Sequence, residues 1–224
     1  QRLVRSYGGQ GVHDRSGDPY PLDDSQPARS YAAVYLSGCV HPDLPEGIGV
    51  MLTPMMGNAL PDDRLWAADT GCFGAPQKHS DDGYLRWLEK RHHGVDRCLF
   101  ATAPDVVRDA HATMARSMPM LPRIREVGYK AALVAQDGLE DIEVPWDAFD
   151  CLFMGGSTEW KLGVHAKALM REARRQGKWV HCGRVNSKKR YLWSIAQGAH
   201  SSDGTFVAFG PDTNIPRLRR WFVD

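Results

Sequence analysis

Two aspartates and a set of small-residue turns carry the chemistry legible in this 224-residue chain. Asp69 ends a short apolar run, in Ala68-Asp69-Thr70-Gly71, where the glycine lets a ligand come close to the backbone. Asp203 sits in Ser201-Ser202-Asp203-Gly204-Thr205. A carboxylate beside a sugar C1′ can act as a nucleophile and hold a glycosyl-enzyme intermediate, while a second carboxylate moves the proton. Asp69 and Asp203 have that division of labour available to them. The plainer reading of Asp69 alone is a turn cap.

Four further positions suit recognition of a planar, nitrogen-rich ligand. Gln136 ends another apolar run, and its amide offers an acceptor and two donors to a heterocycle edge. Asp105 is placed either to read a base or to N-cap a helix beginning at Val106. Gly155 and Gly156 expose main-chain N–H and C=O groups at a run end, or else form a tight turn before Ser157-Thr158-Glu159, a capping arrangement. Trp160 follows them as a stacking or packing residue. Arg184 and Asn186, with Lys188 and Lys189 opening a helix, are expected to hold backbone phosphate, a solvated helix face being the alternative for the lysines.

Eight short apolar runs deliver these residues. Tyr31–Leu36, Gly49–Leu52, Leu65–Ala68, Cys98–Ala101, Ala131–Ala135, Cys151–Met154, Trp179–His181 and a last one at about Gly204–Phe209 read as strands. Helical patterns fall between several of them: a capped segment after Asp81-Asp82, Val106–Met118 interrupted by Pro119 and Pro122, Val164–Arg175 closed by Gly177, and Lys188–Gln197 stopped by Gly198. Ile215–Val223 closes the chain as a basic helix. Strands that each finish in a polar loop describe an α/β chain folded as a (β/α)8 TIM-like barrel, whose strand C-termini converge on one site. The barrel is small, and irregular in its first two units, where the connections are too short or too rich in Pro and Gly for good helices. Residues 1–29 read as an irregular N-terminal arm and 30–224 as a single barrel domain.

No apolar run reaches the roughly 20 residues needed to span a bilayer, and no signal-peptide pattern opens the chain, so it reads as soluble and cytoplasmic, without a membrane partner. The five cysteines are odd in number and scattered, which suits reduced thiols better than a disulfide framework. His92-His93, His181-Cys182 and Cys39-x-His41 lack partners at zinc-site spacing, so neither a metal nor another cofactor is expected. Charge is divided along the chain. Residues 1–160 hold 15 Lys and Arg against 23 Asp and Glu, and residues 161–224 hold 13 against 4. A basic C-terminal third suggests a polyanion lying over one side of the molecule.

The order of these motifs resembles the tRNA-guanine transglycosylase superfamily, and most of all its smaller phage and bacterial deazaguanine DNA transglycosylases. Ala68-Asp69-Thr70-Gly71-Cys72-Phe73 is similar to the family's Ser-Asp-Ser-Gly-Gly-Phe, Asp105 corresponds to its base-reading Asp, and Val134-Ala135-Gln136-Asp137-Gly138 resembles its Val-Gln-Gly turn. Gly155-Gly156 with Glu159 resembles its Gly-Gly loop, and Asp203 falls where its nucleophile precedes the last strand. The resemblance implies exchange of guanine for a 7-deazaguanine such as a preQ-type precursor, through an aspartyl-glycosyl intermediate. Asp203 would be the nucleophile and Asp69 the proton carrier. It implies DNA rather than tRNA as the polymer, a bacterial or phage-infected host, and a protein partner or homodimer as a further source of contacts. A base-excising N-glycosidase and a catalytically silent nucleic-acid-binding barrel are the alternatives.

Overall fold

In the computed structural model, which describes residues 33–72 and 79–222, eight parallel strands close into a barrel in chain order. They are β1 (Val34–Ser37), β2 (Gly49–Leu52), β3 (Trp66–Ala68), β4 (Cys98–Thr102), β5 (Ala131–Ala135), β6 (Cys151–Met154), β7 (Trp179–Cys182) and β8 (Ser201–Gly204). Closure is made by β8 against β1, in a register running from Val34 opposite Ser201 to Ser37 opposite Gly204. This is the TIM-like barrel that the run-and-loop pattern predicts. The expected N-terminal arm, residues 1–29, lies outside the described residues, as do Phe73 of the first motif and the two terminal residues.

Among the described residues seven α-helices pack around the barrel: α1 (Asp81–Glu89), α2 (Ala110–Ser117), α3 (Met120–Glu126), α4 (Thr158–Leu162), α5 (Val164–Arg175), α6 (Lys188–Ala196) and α7 (Pro211–Arg219). Among the described residues no helix joins β1 to β2 or β2 to β3, so the first two units are irregular as expected. None of the described helices is long and apolar enough to cross a membrane. Two cores follow from the pleat. Alternate strand residues point inward, where Leu36, Met51, Ala67, Phe100, Ala132, Val134, Cys151 and Phe153 fill the barrel. The other set faces the helices. There α5 seats Ala166, Met170 and Ala173, a 3.6-residue stripe that is fully buried.

Several boundaries differ from the sequence expectation, and those of the eighth strand, the terminal helix and the helix expected from Val106 have a local reason. The eighth strand lies earlier, at Ser201–Gly204, so Asp203 is inside it rather than before it. The apolar Phe206, Val207 and Phe209 mimic a strand, but they form the turn that leads to Gly210 and a helix with Pro211 in its first turn. The terminal helix accordingly begins four residues sooner than expected, at Pro211. The helix expected from Val106 starts at Ala110, because Arg108 takes a left-handed conformation (φ 61°) that no helix continues through. Asp109, not Asp105, is its N-cap and accepts from Ala112 N–H at 2.9 Å. Pro119 separates α2 from α3, whereas Pro122 sits in the first turn of α3, where the N–H it lacks would have no helical partner.

Candidate active site

The inward alternation continues past the strand ends and decides which polar residues meet. Asp69 follows Ala67 by two, Gln136 follows Val134 by two, and Asp203 follows Ser201 by two. Each therefore projects on the side that faces the barrel interior, just above its apolar filling. Below Asp203 the imidazole of His181 is completely buried, its ring centroid 4.5 Å from that of Phe153 and 4.8 Å from that of Phe100.

Asp69 is a carboxyl under pressure. Its Oδ1 accepts one hydrogen bond, from Gly71 N–H at 2.6 Å. Gly71 reaches that position with φ 71°, which a side chain rarely tolerates. Burial raises the carboxyl's pKa to about 6; the Gly71 hydrogen bond opposes the rise, and the negative charges of Asp105 and Asp203 add to it. A carboxyl poised there can hold or release a proton near neutral pH. Asp203 is held differently: His181 Nε2 lies 3.0 Å from its Oδ1, and its side chain is 17% exposed, enough for a ligand to reach.

Asp105 and Gln136 are brought together. Gln136 Nε2 donates to Asp105 Oδ2 at 2.6 Å, while Gln136 Oε1 accepts from the backbone N–H of Arg108 at 3.0 Å. The same left-handed Arg108 that delays α2 thus fixes which way the amide points. Cys72 completes the group by donating its thiol to Asp105 Oδ1 at 3.3 Å. Asp105 is therefore an acceptor held by two neighbours in the mouth, and its sequence-based alternative as a helix cap is corrected.

Gly155 and Gly156 do not present free backbone groups, contrary to the expectation for them. Both N–H groups donate to Ala135 O at 3.0 Å, and both carbonyls accept from Arg184 Nη2, that of Gly155 at 2.5 Å. The glycines are required by packing instead. A Cβ on Gly156 would lie 2.3 Å from the Trp160 ring, and one on Gly155 would lie 2.6 Å from Val134. Trp160 is a packing residue, tied through its indole N–H to Glu140 at 2.7 Å. Ser157 caps α4 by accepting from Trp160 N–H, so Glu159 stands outside the capping box expected of it.

The expected phosphate group divides. Arg184, in a left-handed conformation (φ 59°), donates from its guanidinium to the glycine carbonyls while the residue stays exposed. Asn186 is exposed and donates to Thr205 Oγ1 at 3.4 Å. Lys188 donates to the Arg220 carbonyl at 2.8 Å, linking α6 to the end of α7, and Lys189 is exposed on α6. Of the four, Arg184 is seen to contact the glycine loop of the mouth.

Sequence reasoning misses two residues. His181 reads there as a metal-ligand fragment or an ordinary buried side chain; its one signal is the inward parity it shares with Trp179 at the strand start. Lys161 is buried in α4 and donates to the Gly183 carbonyl. Burial lowers its pKa to about 8, the charges of Arg184 and Arg190 adding to that effect while Asp203 opposes it. Nothing in the sequence marks it, because a lysine beside Trp160 on a short helix looks like surface. Among the described residues no group of three His, Cys, Asp or Glu side chains is placed to hold a metal ion, and all five cysteines are free thiols.

No family model and no curated protein matches this chain. Among solved structures it is similar to the Bacillus subtilis YkuI protein, with an EAL domain, in complex with substrate c-di-GMP and calcium. Identity is 16%, with 72% of this chain and 43% of that one covered, at a TM-score of 0.43. It is also similar to the PaMucR phosphodiesterase in complex with c-di-GMP, at 13% identity, with 65% of this chain and 67% of that one covered and a TM-score of 0.40. The chain thus spans less than half the length of the first. At such identity and TM-score no activity passes from these proteins to this chain. The transglycosylase function expected from the motif order is nonetheless corrected: the similar structures are named as EAL and phosphodiesterase proteins rather than transglycosylases, and the expected function is not carried forward.

Proposed function

We propose that the barrel mouth is an enzyme active site performing acid–base chemistry with two carboxyls of unequal role. Asp69 carries the proton, and Asp203, held at one oxygen by His181, is the nucleophile or charge stabiliser. The observation that supports this reading is the pKa of Asp69, raised to about 6 by burial and by the neighbouring carboxylates Asp105 and Asp203. Three carboxyl groups sharing one mouth are costly to fold, and such arrangements concentrate at functional sites.

The ligand suited to this mouth is small, planar and rich in N–H donors. Asp105, its carboxylate oriented by Gln136 and Cys72, is the acceptor that would face it. The excess of basic residues in 161–224, with Lys189, Arg190, Arg217, Arg219 and Arg220 exposed on and beside α6 and α7, favours a ligand that is part of a polyanion, DNA being the polymer to test first. Equilibrium dialysis against nucleobases, nucleosides and short oligonucleotides at pH 5 and pH 8 tests the reading. Binding that weakens in Asp105→Asn, with oligonucleotide affinity falling steeply as salt rises, is the expected result. A mouth that binds none of the three probes overturns it.

A further inference from the structure

A line of hydrogen bonds enters the barrel from the start of β7 and ends on Asp203. Trp179 Nε1 lies 2.8 Å from Ser201 Oγ, Ser201 Oγ lies 2.7 Å from His181 Nδ1, and His181 Nε2 lies 3.0 Å from Asp203 Oδ1. Ser201 and His181 are both completely buried. Strand register places them together, since His181 on β7 is the direct partner of Ser201 on β8.

The direction of every proton in this line follows from donor chemistry. An indole N–H can only donate, so Ser201 Oγ accepts from Trp179. A hydroxyl has one proton of its own and, among the described residues, His181 Nδ1 is the partner that can accept it, so the arrangement that satisfies the buried hydroxyl points that proton to Nδ1. The neutral ring then carries its proton on Nε2, which donates to Asp203 Oδ1. The other end gives the same answer independently: a bare Nε2 facing a carboxylate oxygen would set lone pair against lone pair. We propose that Trp179, Ser201 and His181 form a positioning relay that locks His181 as the neutral Nε2–H tautomer and leaves Oδ2 of Asp203 as its reactive oxygen.

The relay separates the two carboxylate oxygens. Oδ1 is held by a ring that packs against Phe100 and Phe153, which leaves Oδ2 as the atom available to a ligand. Burial also disfavours the charged imidazole, against the pull of Asp203; Lys161 works in the same sense as burial. A neutral His181 gives Asp203 a hydrogen bond without forming a full ion pair with it. This role for Oδ2 rests on the reading of Asp203 as the working carboxylate; the tautomer itself does not.

Long-range ¹H–¹⁵N correlation spectra of the full chain with labelled histidine test the relay, the His181 signals being assigned by their loss in His181→Gln. The expected spectrum shows the Nε2–H pattern at pH 7 and above. An Nδ1–H pattern, or an imidazolium at pH 7, overturns the proposal. Ser201→Ala removes the donor at Nδ1 and should let the second nitrogen take up a proton, so that the imidazolium pattern appears at a higher pH than in the parent. Ser201→Thr, which keeps the hydroxyl, should restore the original spectrum. A Ser201→Ala spectrum identical to the original overturns the part played by the hydroxyl. Should Ser201→Ala not fold, Trp179→Phe frees the hydroxyl to turn from Nδ1 and carries the same test, with the same two outcomes. No ligand enters these spectra, so a barrel that binds no nucleobase, nucleoside or oligonucleotide still shows which nitrogen of His181 carries the proton.

Discussion

Asp69 and Asp203 are the same residue at equivalent heights in one barrel, yet their surroundings treat them in opposite ways. Asp69 follows β3 and receives a single backbone N–H, with negative charge from Asp105 and Asp203 nearby. Asp203 lies near the end of β8 and receives an imidazole from below, with the cationic Lys161 close enough to feel its charge. The first environment penalises ionisation, and the second supplies a partner that the carboxylate can use while charged. Residue type supplies a carboxyl; whether it stores a proton or presents a charge is set by what surrounds it.

The largest effects that could break this contrast are on turnover and on the interior that supports it. On whichever ligand dialysis identifies, Asp203→Asn should lower the rate on the order of 10²–10⁴-fold, and Asp69→Asn should do so with loss of the pH dependence centred near 6. Equal and pH-independent losses in single-turnover measurements would show that the two carboxyls share one role. Phe153→Ala should cost about 3–5 kcal/mol in urea unfolding, since the ring is almost wholly buried and supports His181. A loss under about 1 kcal/mol would mean that the interior layer collapses to fill the gap.

A smaller effect isolates Asp69 without any ligand. Its carboxyl titrates near 3.8 when unfolded and near 6 when folded, so between those values the folded state binds the extra proton. Stability from this group is therefore greatest below about pH 4 and declines as pH rises to about 6, by up to about 3 kcal/mol for a shift of that size. Asp69→Asn should remove the decline and leave the variant more stable than the parent at pH 8. Thermal unfolding at pH 4 and pH 8 reads the difference, and a variant less stable than the parent at pH 8 would show that ionised Asp69 is well accommodated. The smallest effect separates two neighbouring aspartates. Asp109→Ala should cost about 1 kcal/mol through loss of the α2 cap, whereas Asp105→Ala should leave the cap unaffected and perturb ligand binding instead.

The barrel is readable because its strands are buried on both faces and so show up as unbroken apolar runs ended by small or polar residues. Gly49–Leu52, Ala131–Ala135, Cys151–Met154 and Val164–Arg175 lie where expected to the residue. The eighth strand is displaced because Ser201-Ser202-Asp203-Gly204 has no apolar signature: its inward residues carry the polar relay, and its neighbours β1 and β7 impose its conformation. Asp105 passes for a helix cap because nothing local reveals that Arg108 adopts a left-handed turn. Gly155 and Gly156 pass for a ligand-facing surface because the sequence does not show where the guanidinium of Arg184 will point.

Periodicity and turn chemistry are local, and they were enough to set the eight-stranded architecture, the inward direction of Asp69, and the mouth at which the strand-end residues gather; the inward parity of Asp203 depends on where β8 lies. Pairings across the barrel are not local. His181 with Asp203, Gln136 with Asp105, Lys161 with the Gly183 carbonyl and Arg184 with the glycine loop join residues 22 to 31 positions apart. Each depends on barrel closure, on strand register, and on burial strong enough to shift a proton. Those quantities belong to the assembled molecule, so only the tertiary structure could decide which aspartate holds a proton and which is held by a histidine.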